Sequence, residues 1–141
     1  MKSEKIAEKF MKGIDCSQVI TEHFADEMGI SAETAKKMSA CFGGGMSMGG
    51  TCGAVTGALI VLGMKYGHFE ENDAASKDIM AAKRAEFLMK YNEKYSSTVC
   101  NDLLNHDITK PEEFQKILDE GLLFNFCPKV VEEVIEILKE I

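Results

Sequence analysis

Residues 42–66 read Phe42-Gly43-Gly44-Gly45-Met46-Ser47-Met48-Gly49-Gly50-Thr51-Cys52-Gly53-Ala54-Val55-Thr56-Gly57-Ala58-Leu59-Ile60-Val61-Leu62-Gly63-Met64-Lys65-Tyr66. The contrast between the two halves of this stretch decides the fold. The first half is too rich in glycine for a helix interior, where each Gly costs about 1 kcal/mol relative to Ala. The second half, from Cys52, is apolar on every side and carries no proline. It reads as a buried helix with Thr51 as its cap. It is too short for a bilayer, which needs about 20 apolar residues. Gly53 and Gly57 leave one face of this helix almost bare. Something should offset their cost, either a second helix in close approach or a cofactor.

Outward from this stretch, helical periodicity dominates and no alternating strand pattern appears. Ile6, Phe10 and Met11 give a first helix its apolar face, ended by Gly13. Asp15 or Cys16 opens a second through Val19, Ile20, Phe24 and Met28, closed at Gly29. Ser31 caps a third. After the central helix, a long one is expected from about Asn72 to Tyr95, with Ile79, Ala82, Phe87, Leu88 and Tyr91 inward. A short helix follows from Thr98 to Leu104. Lys110-Pro111 opens another, with Pro at a first-turn position. The last starts at Cys127-Pro128 and buries Val130, Val131, Val134, Ile137, Leu138 and Ile141. The expectation is a compact multi-helix, all-α domain spanning residues 1–141, its Gly-rich loop leading into a buried central helix.

Composition narrows the function. The 141 residues are 45% hydrophobic and 28% charged, as in ordinary globular chains, so a core can form without disulfides or metal. A net charge of −7 argues against binding a phosphate backbone, so nucleic acid is not an expected partner. Met1 to Lys12 alternates charged and apolar residues at helical spacing, unlike a secretory signal. A cytoplasmic, not membrane-spanning protein is expected.

Five cysteines are informative in such a setting. Cys16, Cys41, Cys52, Cys100 and Cys127 contain no CxxC pair, which disfavours a zinc ribbon, a thioredoxin-type site and a ferredoxin loop. Four of them fall at expected helix starts: Cys16 after Asp15, Cys52 after Thr51, Cys100 after Ser97 or Thr98, and Cys127 at the N-cap before Pro128. Helix N-termini favour thiolate over thiol. Cys41 lies at a helix end, where the dipole acts the other way. The competing reading is that all are small core residues, since free Cys is often buried.

The glycines also admit two uses. An anion nest is one, but GxxxxGK[ST] is absent and no strand precedes the loop. The other is backbone passing close to a cofactor or to other thiols, with Gly43, Gly44, Gly45, Gly53 and Gly57 as the candidate contacts. His23, His68 and His106 follow no metal-ligand spacing and read as solvated. Met28, Met38, Met64, Met80 and Met89 fit core positions.

Cys16, then Cys52-Gly53-Ala54-Val55-Thr56-Gly57, then Cys100-Asn101-Asp102-Leu103-Leu104 and Cys127-Pro128-Lys129-Val130-Val131 together resemble the C_GCAxxG_C_C family of redox-active proteins. The resemblance covers nearly the whole chain. It implies redox chemistry with those four cysteines as the functional set and Cys41 as an extra. It also implies an electron donor or acceptor partner, a protein or a small thiol, and, through gene neighbourhood, a link to a transporter. Cys16, Cys52, Cys100 and Cys127 would then ligate an iron–sulfur cluster or zinc, or cycle as dithiol and disulfide with Cys52 as nucleophile. The rival is a non-catalytic helical binding module with structural cysteines. A homodimer through the bare glycine face is a further expectation. No catalysed reaction can be named from the sequence.

Overall fold

The computed structural model describes residues 1–141 as ten helices without a sheet. They are α1 (Ser3–Met11), α2 (Cys16–His23), α3 (Ala25–Met28), α4 (Ala32–Ser39), α5 (Gly53–Tyr66), α6 (Ala74–Asn92), α7 (Cys100–Leu104), α8 (Pro111–Asp119), α9 (Leu122–Asn125) and α10 (Cys127–Glu140). The all-α expectation holds. No helix is long and apolar enough to cross a membrane.

Helix α5 is the axis of the molecule. Ala54, Val55, Ala58, Val61 and Leu62 are all buried, and α2, α6 and α10 pack around them. The bare face of α5 is filled by α2. A Cβ on Gly57 would lie 3.0 Å from both Cβ of Ile20 and the Ser17 carbonyl oxygen, and one on Gly53 would overlap Cys16 Sγ. Glycine is therefore required for this close helix pair, and its cost is offset by packing.

Helix α2 turns its other side to α4 and seals that contact with hydroxyls. Ser17, Thr21 and Ser39 are fully buried. Ser17 Oγ donates to the Ser39 carbonyl (2.9 Å), Thr21 Oγ1 to that of Ala35 (2.9 Å), and the Thr21 and Ser39 hydroxyls lie 2.8 Å apart. Every buried polar side chain is thus satisfied. Ser31 caps α4 as expected, accepting from the Thr34 N–H at 3.0 Å.

Several expectations are corrected. The second helix does not run to Met28: the chain bends at Phe24 (φ −103°, ψ 13°), which lets Phe24, Ala25 and Met28 all point inward. On α6 the buried stripe is Met80, Phe87 and Tyr91, while Ile79 and Ala82 are exposed. That helix packs chiefly on α5 and α10, so a narrow stripe suffices. Met11, Met38, Met64 and Met89 are likewise exposed, because each belongs to the outer face of a helix buried along one side. Ile141 is only partly covered.

The core has two parts. One large cluster joins α1, α2, α5, α6 and α10, and a small one holds only Cys100, Leu104 and Ile117. A cavity lies at the seam between them.

Candidate thiol site

The four cysteines at the helix starts come together through backbone pairing that periodicity does not reveal. The segments leading into α5 and α7 run antiparallel, with Thr51 opposite Val99. The Cys52 N–H donates to the Thr98 carbonyl at 2.7 Å, and the Cys100 N–H to that of Gly50 at 2.6 Å. This short ladder sets the openings of the two helices side by side. The close fit of α2 on Gly53 brings in Cys16, and α10 begins at Cys127 beneath the small cluster.

Helix starts are where expected, but the caps differ. Cys52 is itself the cap residue of α5, because Thr51 is taken up by the bridge. Val99 precedes α7 in place of Ser97 or Thr98; the Ser97 hydroxyl accepts instead from the Val99 N–H at 3.0 Å. Phe126 stands at the cap of α10, so Cys127 is the first helical residue.

The glycine loop forms a wide turn, closed by the Gly50 N–H donating to the Gly45 carbonyl at 3.1 Å. Gly44, Gly45, Met46 and Ser47 run consecutively in the left-handed region, with φ of 63°, 60°, 60° and 58°. Met46 and Ser47 pay a steric penalty of about 1–2 kcal/mol each there. The loop is pinned by Asn101, whose side-chain amide lies where a Cβ on Gly49 would be. That amide also donates to Asp107 (3.3 Å) and accepts from the Ile108 N–H (3.0 Å).

Cys16, Cys52, Cys100 and Cys127 all line one cavity of about 160 Å³. The rest of its wall is apolar apart from Asp15, and no Lys, Arg or His contributes to it. Gly44 and Gly53 belong to the wall; Gly43, Gly45 and Gly57 lie behind it, against Asp15, Gly50 and α2 respectively. Cys41 is exposed and stands apart from the cavity. All five cysteines are free thiols. No three His, Cys, Asp or Glu side chains stand close enough together to hold a single metal ion.

Burial reverses the electrostatics expected at helix starts. It pushes the Cys16 thiol up to about 12, with the neighbouring Cys52 adding to the rise and the Gly44 and Ser17 amides opposing it. Burial raises Cys52 to about 11, opposed by the Ala54 and Val55 amides and reinforced by Cys100. Burial and then Cys16 raise Cys100 to about 11. Cys127 is pushed up as well, by burial and then by Cys52, Cys16 and Cys100. Removing sulfur from water outweighs the helix dipole, and the dipole's amides reach only Cys16 and Cys52. Each thiol feels at least one of the others, as expected of groups sharing one cavity.

The family model described as "Putative redox-active protein (C_GCAxxG_C_C)" matches residues 14–141. The chain belongs to this family. No curated protein and no solved structure matches it. The family's label spells out four cysteines, and four of this chain's five line the cavity, Cys41 being the one that does not.

Residues that sequence reading misses complete the site. Phe126 lines the cavity and meets Tyr95 edge-on at 6.4 Å between ring centres. Tyr95 stacks on Tyr91 at 5.3 Å, and Tyr91 Oη donates to the Ser97 carbonyl at 2.8 Å. Tyr91 thereby steadies the strand-like segment that carries Cys100. Its burial is legible in the helix periodicity; its bond to Ser97 is not. His106, expected to be solvated, is instead largely covered and faces Glu120 at 3.2 Å.

Proposed function

We propose that this protein is a redox carrier or sensor whose four cavity thiols, Cys16, Cys52, Cys100 and Cys127, ligate an iron–sulfur cluster. The observation that carries this reading is a set of four sulfurs, from four separate helix starts, around one apolar cavity of about 160 Å³. Cys₄ is the donor set of [2Fe–2S] and [4Fe–4S] centres. A single zinc ion would need four sulfurs each about 2.3 Å away. No three donors stand close enough for one ion, which counts against zinc, whereas a cluster distributes its ligands over several irons and does not require them to converge on one point.

The raised thiol pKa values support ligation over nucleophilic attack. A buried thiol that resists ionisation is a slow nucleophile. An iron centre deprotonates its thiol ligands outright, so burial is no barrier to ligation. When bound, such a cluster would supply one-electron transfer. The chain's own contribution is to exclude water and to aim the Ala54 and Val55 amides at Cys52 and the Gly44 and Ser17 amides at Cys16. Hydrogen bonds to ligand sulfur and burial both tune a cluster's potential.

The test is anaerobic purification followed by an absorption spectrum and assays of iron and acid-labile sulfide. The expected protein is coloured, with iron and sulfide in equal amounts. Colour should be lost in Cys52→Ser and Cys127→Ser and kept in Cys41→Ser. Protein that stays colourless even after reconstitution with iron and sulfide would overturn the cluster. Dithiol cycling would then be read from a loss of two hydrogen atoms per disulfide by mass after mild oxidation, the two electrons passing to the added oxidant.

A further inference from the structure

We infer that residues 106–120 form a hinged flap over the thiol cavity, which lifts as a unit to give access to the cysteines. The backbone turns through the left-handed region immediately before and after this segment, at Asn105 (φ 55°) and Gly121 (φ 71°). Its first and last residues are joined at the neck, His106 Nε2 lying 3.2 Å from Glu120 Oε2. Its hydrogen-bond ties to α7 run through Asn101 alone, whose backbone carbonyl accepts from the His106 N–H (3.3 Å) and whose side chain accepts from the Ile108 N–H (3.0 Å) and donates to Asp107 (3.3 Å), and these must break for it to lift. Between its ends the segment also carries its own bonds. The Asp107 carboxylate accepts from the Thr109 N–H (2.9 Å) and hydroxyl (2.6 Å), and the Asp107 N–H donates to Glu113 (3.0 Å).

The underside of this segment is the roof of the cavity. Ile108, Phe114 and Ile117 all line it. Ile117 is completely buried, and a Cβ on Gly44 would sit 3.1 Å from the end of Ile108. That burial belongs to the small cluster with Cys100 and Leu104, which shares no buried residue with the large core. Lifting the segment therefore opens the small cluster and leaves α5 and α10 packed. Local opening of this kind lies below global unfolding in free energy.

The inference goes beyond the cluster reading and is tested on the metal-free, full-length protein, so either can fail without the other. Hydrogen exchange should show the α8 amides exchanging well before those of α5 and α10. Alkylation with neutral iodoacetamide should label exposed Cys41 first, as an internal control. The four cavity thiols should follow at a rate nearly independent of urea below the unfolding transition. Ile117→Ala should speed that labelling by about tenfold or more, since a buried isoleucine anchors the roof. Should that variant fold poorly, Phe114→Ala and Glu120→Gln loosen the roof and the neck with less damage, and each should raise the rate in the same direction. The flap is overturned if the cavity thiols react only with a steep urea dependence matching global unfolding. Exchange of α8 at the same free energy as α5 would also overturn it.

Discussion

Gly53 and Gly63 share helix α5, yet the same substitution should act on them in opposite directions. A Cβ at Gly53 would overlap Cys16 Sγ and lie 3.0 Å from the Phe42 carbonyl oxygen, both held by packed elements. Gly53→Ala should therefore cost about 1–3 kcal/mol through overpacking, and it should disturb the cavity because Cys16 must move. Around Gly63 nothing lies within 4 Å. Gly63→Ala should gain about 0.5–1 kcal/mol from helix propensity alone. Urea denaturation of the two variants, read at constant slope, checks both signs. By propensity both glycines are equally out of place in a helix interior. Only the approach of α2 distinguishes the one that is required from the one that is not.

Between elements, the buried hydroxyls of α2 and α4 offer the cleanest measurement. Thr21 Oγ1 lies against the Ser39 hydroxyl and the Ala35 carbonyl, at full burial. Thr21→Val keeps shape but removes the hydroxyl, and should cost about 1–3 kcal/mol in denaturant unfolding. Thr21→Ser, which keeps the oxygen, should cost less. Helix order was legible from periodicity, as were the four helix starts near cysteines, but periodicity does not announce α9 (Leu122–Asn125) and runs α3 into the end of the second helix. Element ends were not legible, and the reason is tertiary. Thr51 gives up its capping position to pair with Val99, and the bend at Phe24 serves three inward side chains at once. A bridge this short leaves no period-two signature to find.

For the molecule as a whole, the raised thiols make stability depend on pH in one direction. The unfolded chain's cysteines lose their protons near pH 8.5. In the folded, metal-free protein Cys52 and Cys100 hold theirs to about 11 and Cys16 to about 12. Above the unfolded value the native state binds more protons, so unfolding free energy falls as pH rises. Stability should be unaffected by the thiols below about pH 8 and decline steadily from about pH 9 upward. Buried Tyr91, also pushed up by burial, adds to the decline. Urea midpoints at a series of pH values test this. A variant with serine at all four cavity positions should show a flatter profile over the same range, because serine does not ionise. Bound iron should remove the thiol part of the slope, since ligated sulfur carries no proton to lose.

By itself the sequence determined that this protein is helical, that Cys52 begins a buried apolar helix, and that four cysteines share the opening turns of helices. Those features are local, set by residue spacing, glycine content and capping chemistry. Tertiary structure alone decided that the four thiols line one cavity, because their convergence needs the Thr51–Val99 pairing and the close contact of α2 with Gly53. It also decided that the thiols are held protonated. The dipole of a helix start can be read from a sequence, whereas the desolvation that outweighs it depends on what the rest of the chain packs above.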